Sequence, residues 1–317
     1  MAVTGSSTFN IASAGAAGLV GPAYDRYVEF ALRSQPLLRS LADKRPVQMA
    51  SPGSSVVFNI HQDMAQAASA LTDGTDVTAV ALSNTTNVTV TLNEYGNVLT
   101  TTRKLDALSL SDVDPAVANI IAFNMADSLD SVVAAVLTAG ITNITRGGAR
   151  TSTATVASTD VITGAMVRRA ATGLRTNNAV PRWGLLYGAY IHPEVAYDLR
   201  AEAGTGNFED IRKYNDDTVG NILTGVTGIV HGCYFIETPR VTVDTTGSAS
   251  TRVFRTYIVG QQALAEAAAI EPHVVVGPVV DSLLRNRPVG WYGLLGWSAY
   301  RTASSWKFET TSSIHTT

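Results

Sequence analysis

Gly188-Ala-Tyr-Ile-His-Pro-Glu-Val-Ala-Tyr-Asp-Leu-Arg200, GAYIHPEVAYDLR, puts a histidine two residues before a glutamate and six before an aspartate. Read as chemistry, His192, Glu194 and Asp198 are a candidate metal-binding or hydrolytic cluster. Read as backbone, a β-prone run ends at His192-Pro193 and a short helix begins. The metal reading fails on ligand count, because a helical zinc-protease signature needs a second histidine four residues from the first. Acid–base catalysis needs side chains that converge, whereas the chain on either side of Pro193 changes from extended to helical. The backbone reading accounts for more of the residues. Pro193 suits a first helical turn, Glu194 suits the positive end of the helix dipole, and Val195 and Leu199 pack inward at i, i+4. A strand over 183–191 and a helix over 194–203 follow. A hydrolase using His192, Glu194 and Asp198 stays as a remote alternative.

Working outward, 317 residues suffice for one large domain or two to three ordinary ones. Charged residues make up 15% of the chain against about 25% in typical domains, which fits a surface partly covered by partner subunits. A net charge of −3 argues against a chain-wide grip on nucleic acid. Lys44, Lys104, Lys213 and Lys307 are the only lysines among 23 basic residues. Arginine's planar fork favours fixed bidentate contacts with carboxylates, and codon usage in a GC-rich genome explains the bias equally well. Cys233 stands alone in an apolar run, so it reads as a small buried hydrophobe. No transmembrane span or secretory signal is expected, and the retained Met1 suggests no cleavage at this end.

Residues 1–18 are small and polar around isolated Phe9 and Ile11, and they read as an arm. A helix from Pro22 towards Pro36 and a short turn over 37–41 come next. Residues 54–61 read as a strand, and a polar stretch with Asp73-Gly74 leads to an alternating strand over 87–92. Asn93-Glu94-Tyr95-Gly96 then reads as a turn into a return strand over 97–103. That Thr-rich hairpin has too few apolar residues to own a core, so cover by another chain is expected. Asp112-Val-Asp114-Pro115 opens a helix over 115–139 with an apolar stripe from Val117 to Val136, roughly 37 Å long. Asp127 and Asp130 lie off that stripe. Further on, a helix over 161–175, a polar loop over 205–219 and strands near 229–237, 240–244 and 254–259 are predicted. An Ala-rich helix over 261–269, a strand over 274–280 and an aromatic segment over 291–306 complete an α+β pattern.

Other chemistry is sparse. His61, His231, His273 and His315 pair with no carboxylate or cysteine at ligand spacing, and Asp63, Asp73 and Asp76 do not match a calcium loop. No nucleophile elbow or phosphate-binding glycine loop is present, so no cofactor or metal is expected and an enzyme is disfavoured.

Three stretches in this order resemble a known family: Tyr190-Ile-His-Pro-Glu-Val-Ala-Tyr-Asp-Leu199, Gly228-x-x-x-Gly232-x-x-Phe235-Ile-Glu-Thr-Pro-Arg240, and Tyr257-Ile-Val-Gly260. With the arm, the Thr-rich hairpin and the long helix they resemble the major capsid protein of tailed bacteriophages, the Hong Kong ninety-seven-like capsid fold. The resemblance implies an N-terminal arm at 1–21 and a first helix and strand of a peripheral domain at 22–61. It implies an extended loop at 62–104, the rest of the peripheral domain at 105–159 with its spine helix at 115–139, an axial domain at 160–270, and C-terminal strands at 271–317 completing the shell body. The implied function is an icosahedral shell of hexamers and pentamers around double-stranded DNA, bound without sequence specificity and away from membranes. The virion capsid, assembled in the host cytoplasm, is the implied location; scaffold, portal and cement proteins are the implied partners. A nanocompartment shell enclosing enzyme cargo is the sibling reading. Assembly contacts are expected at Phe9, Ile11, Glu94, Tyr95, Arg103, Lys104, Arg146 and Arg150. No cross-link is expected at Lys104, because no matched asparagine or catalytic carboxylate is evident.

Overall fold

The structure, a computed structural model, describes residues 35–46, 53–61, isolated positions between 64 and 79, 86–108, 113–202, 226–279, 283 and 285–315. The arm, the helix expected after Pro22 and the loop expected over 205–219 lie outside the described residues. A 3-10 turn, Leu38–Leu41, enters β1 (Ala42–Pro46). Then come β2 (Ser55–Ile60), β3 (Thr86–Thr91), β4 (Asn93–Thr102), α1 (Arg103–Leu108) and α2 (Val113–Gly140). β5 (Ile144–Arg146), α3 (Gly164–Thr176), β6 (Tyr187–Ile191) and α4 (Pro193–Ala201) follow. The last third holds β7 (Val226–Val230), β8 (Cys233–Glu237), β9 (Val243–Asp244) and β10 (Val253–Val259). It ends with β11 (Leu264–Val276), β12 (Asn286–Ala299) and β13 (Ser305–Thr310).

Two sheets lean on one helix. The four-stranded sheet runs β1-β11-β12-β4 and the seven-stranded one β5-β13-β10-β6-β8-β7, with β9 beside β10. The 28 residues of α2 span about 42 Å. The stripe expected from the sequence is buried at Val117, Ile121, Leu129, Val133 and Leu137, against Leu38, Leu264, Trp291 and Leu295 of one sheet region and Tyr257 and Val259 of the other. Over residues 117–140 the helix is apolar and long enough to cross a membrane by length and composition. Its buried stripe lies on the two sheets, and apart from Ile120 the exposed positions, Ala118, Asn119, Ala122, Ser131, Ala135 and Ala139, are small. A second core holds α3 and α4 on the seven-stranded sheet through Val167, Leu174, Val195, Leu199, Phe235 and Phe308.

Two expectations change. The Ala-rich segment after Gly260 is strand, not helix. Tertiary context overrides alanine's helix propensity because the segment alternates with period two. Ala265, Ala267 and Ala269 join one cluster with Val90 and Leu92, while Leu264 faces α2 and Glu266 is fully buried beneath Trp297. The hairpin expected between 87–92 and 97–103 does not form either. β3 pairs with β2, and β4 pairs with β12 throughout its length. The β2–β3 ribbon therefore owns an apolar face, Val56, Phe58, Ile60, Val88 and Val90, packed on this chain's own four-stranded sheet.

Smaller departures have local causes. The strand expected over 229–237 splits at His231 and Gly232, whose φ of 50° and 82° make a two-residue hairpin turn between β7 and β8. In β11 the pairing with β12 shifts register twice, between Ala268 and Ile270 and between Ile270 and His273. Where the ribbon crosses β12, Gly296 leaves no room for a side chain: a methyl there would run into the Thr91 carbonyl. Gly296→Ala is expected to destabilise the fold by about 1–3 kcal/mol through overpacking. Denaturant unfolding, with faster amide exchange at Val88 and Val90, checks this; an unchanged midpoint and unchanged exchange would refute it.

Candidate functional site

The opening cluster resolves into helix caps. His192 is the N-cap of α4; its Nδ1 accepts from Glu194 N at 3.3 Å, and its ring lies 4.8 Å from the Phe254 ring. Asp198, 7% exposed, accepts from Ser313 N at 2.9 Å and from the Ser313 hydroxyl. Glu194 O accepts from Ser312 Oγ at 3.2 Å. α4 thus pins the C-terminal turn, and the carboxylate of Asp198 points to that turn and not to His192. Among the described residues, no group of three His, Cys, Asp or Glu could hold a metal ion. Cys233 is fully buried, and burial pushes its thiol up to about 12.

The charges that organise the molecule lie elsewhere. Arg240, closing the Thr238-Pro239-Arg240 stretch after β8, donates from Nε to Asp130 Oδ2 at 2.8 Å and from Nη2 to Asp127. These two aspartates, three apart on α2, are the pair that the sequence left off the apolar stripe. Asp130 is 1% exposed and also accepts from Arg39 N at 3.0 Å. Arg39 in turn donates to the fully buried Glu266 from Nη2 at 2.6 Å and from Nε at 3.2 Å, and Trp297 Nε1 donates to the same carboxylate at 2.9 Å. One chain of charge-assisted hydrogen bonds therefore runs from the seven-stranded sheet through α2 to the four-stranded sheet. Arg240→Ala would leave the Asp130 carboxylate without its guanidinium, a change expected to cost about 3–5 kcal/mol. Thermal unfolding checks it, and a loss below 1 kcal/mol would show that the pair does not hold the joint.

A second cluster centres on Glu309, 2% exposed. Its Oε2 accepts from Arg146 Nε and Thr153 Oγ1, both at 2.7 Å, while its Oε1 lies 3.4 Å from Lys307 Nζ and 3.7 Å from Arg255 Nη1. Lys307 Nζ also donates to Thr138 O near the end of α2 at 2.7 Å. Beside it, Arg150 Nε donates to Asp160 Oδ2 at 2.7 Å, and Ala157 N donates to the same oxygen at 2.8 Å. Burial alone would push the Glu309 carboxyl up. The Thr153 hydrogen bond and the charges of Lys307, Arg146 and Arg255 outweigh it and hold the group below the ordinary carboxylate range. For Asp160 too, burial is outweighed, here by Arg150 and the Ala157 amide, and its pKa is lowered. Both folded-state values lie below the unfolded ones, so the stabilisation is complete above pH ~4.5 and is lost as pH falls through the folded values. Glu309→Gln is expected to lower Tm at pH 7 and to flatten its decline below pH ~4.5. A Tm-against-pH series parallel to the parent's would contradict the assignment.

The residues expected at assembly contacts divide three ways. Phe9 and Ile11 lie outside the described residues. Arg146 and Arg150 make the internal ion pairs just given, and Tyr95 is half-buried against Trp297, ring centroids 5.8 Å apart. Glu94, Arg103 and Lys104 are exposed at the two ends of β4, with Val98 and Leu99 exposed between them. Sequence reasoning missed the Arg240 and Glu309 clusters. The signal for the first was two aspartates at i, i+3 in an otherwise apolar helix, within a chain rich in arginine. For the second, Lys307 and Glu309 stand two apart on one face of β13.

The sequence profile of the phage capsid protein family matches residues 26–295. No curated protein matches the sequence. The head structure of Helicobacter pylori bacteriophage KHP40 is similar with a TM-score of 0.74 at 16% identity, over 95% of this chain and 98% of that one. The acidic stable capsid of Helicobacter pylori bacteriophage KHP30 gives 0.72 at 16% identity, over 98% and 100%. The capsid of cyanophage P-SCSP1u gives 0.71 at 16%, over 96% of each chain. At such identities the structures speak for the fold, and the profile speaks for the family. A long helix bridging two sheets, a ribbon laid on one of them, and a profile covering most of the length agree: this chain belongs to the phage capsid protein family and is a shell-forming major capsid protein.

Proposed function

We propose that copies of this chain tile as hexamers and pentamers around double-stranded DNA, without sequence-specific contacts and without catalysis. The observation that carries this reading is the segment joining β2 to β3, where Met64, Leu71 and Val77 are 60%, 77% and 60% exposed. Large apolar side chains left in water by one subunit are what contact with a neighbouring copy buries. In this reading the extended loop is the segment rooted in β2 and β3, because β4 belongs to the four-stranded sheet. Its start and end then move from 62 and 104 to the bounds of those two strands. The arm at 1–21 reaches a neighbour, the spine helix and four-stranded sheet form the peripheral body, and much of 160–270 forms the axial one. A net charge of −3 suits enclosing DNA without gripping it. Scaffold, portal and cement proteins are the expected partners, with assembly in the host cytoplasm.

Purified chain viewed by electron microscopy is expected to form shells, tubes or capsomers; small monodisperse species alone would overturn the proposal. Native particles should contain DNA, and enzyme cargo in its place would turn the reading to a nanocompartment. Removing residues 1–18 is expected to leave Tm and circular dichroism unchanged while cutting shell yield at least tenfold. Normal yield from that truncation would remove the arm from the mechanism.

A further inference from the structure

β4 forms one edge of the four-stranded sheet, and among the described residues no strand pairs with its outer side. Arg103 N donates to Arg285 O at 2.9 Å, and the pairing of β4 with β12 runs without a register shift. Odd-numbered residues of β4 therefore turn their backbone groups to β12, and Gly96, Val98, Thr100 and Thr102 turn theirs outward. The Val98 N–H is met at 2.9 Å by the Oδ1 of its neighbour Asn97. Sheet edges are ordinarily protected by brevity, Lys, Pro or bulges. The other edges of the four- and seven-stranded sheets follow that rule. β1 has five residues including Asp43, Lys44 and Pro46, β5 has three, and β7 carries a register shift at Gly228. β4 has ten residues, Asn-Glu-Tyr-Gly-Asn-Val-Leu-Thr-Thr-Thr, with no Lys, Arg, Pro or bulge, and it exposes Val98 by 64% and Leu99 by 40%.

The geometry points to β4 as a strand-to-strand contact between two copies of this chain related by a twofold axis. This rests on the reading that copies assemble, and it names one surface by which they do. A twofold axis that makes two identical strands antiparallel stands perpendicular to the sheet, so paired residues must lie on the same face and have the same parity. Centring the axis on Leu99 sets Leu99 against its own counterpart as a non-hydrogen-bonded pair. Val98 then exchanges backbone hydrogen bonds with the partner's Thr100, and Gly96 with the partner's Thr102. The last pair in this register is Gly96 with Thr102, and beyond it Glu94 lies near the start of the partner's α1, whose first turn carries the exposed Arg103 and Lys104. The edge is thus complementary to itself in shape, hydrogen bonding and charge, which selects a second copy as the occupant.

Leu99→Cys particles test the register, since a non-hydrogen-bonded pair brings Cα atoms to about 4.5 Å, within disulfide reach. Mild oxidation is expected to give disulfide-linked dimers at least tenfold above Val98→Cys particles; Cys233 is buried and contributes none. Equal cross-linking in the two variants, or none in assembled Leu99→Cys shells, overturns the contact while leaving shell formation intact. Should Leu99→Cys fail to fold, charge exchange decides. Glu94→Lys and Lys104→Glu are each expected to lower shell yield at least fivefold, and the double variant to restore it. A double variant no better than the singles overturns the pairing. Wild-type chain that forms no shell would instead sink the assembly reading itself.

Discussion

The guanidinium of Arg240, held between Asp127 and Asp130, sets where α2 sits, and both sheets are built on α2. An apolar stripe can slide or roll on its neighbours at modest cost, because dispersion contacts have no direction. A buried guanidinium gripping two carboxylates at i, i+3 has one solution. A buried ion pair adds little net stability over apolar side chains of the same volume, and its loss costs far more than its presence contributes. Its value here is geometric. Arg39 extends the setting by giving its backbone N–H to Asp130 and its side chain to Glu266. Near the other end of the helix, the Thr138 hydroxyl lies 2.7 Å from Tyr257 Oη and the Thr138 carbonyl accepts from Lys307. The helix is thereby fixed to the seven-stranded sheet at two points along its length.

Small residues do the complementary work. Ala265, Ala267 and Gly296 let the ribbon lie close on the four-stranded sheet, and Gly140 lets the end of α2 touch Ala299. Such positions demand size and periodicity more than identity. This fits relatives that keep the fold over nearly the whole chain at 16% identity.

Legibility in the sequence followed how local each cause was. The long helix, the strand-to-helix turn at His192-Pro193 and the strand over Val253–Val259 are set by neighbours within a few residues, and all three were readable. The Ala-rich strand was not. Alanine favours helix on its own, and only the ribbon above and Arg39 with Trp297 below make Leu264–Val276 extended. The pairing of β3 with β2 and not with β4 was equally hidden, since a short Asn-Glu-Tyr-Gly stretch looks like a turn until β12 is present to pair with it. Among the expected contact residues, Glu94, Arg103 and Lys104 lie on the surface of the subunit. Arg146 and Arg150 were not separable from them, because their carboxylates, Glu309 and Asp160, lie 163 and 10 residues away.

The two register shifts in β11 have a consequence for how this gene can change. Each shift inserts one residue and turns the alternation over; together they return it to its original phase, so that Ala267 and Val275 address the same face of the sheet. Deleting the one extra residue of a shift would abolish that shift and leave Val274, Val275 and Val276 on their β12 partners Trp291, Gly290 and Val289. Losing both would leave every later residue on its proper side and merely shorten the strand. Length variation between positions 268 and 273 is therefore admissible one residue at a time, because each residue lost takes its shift with it, whereas a single deletion beyond 273 would turn every later side chain over.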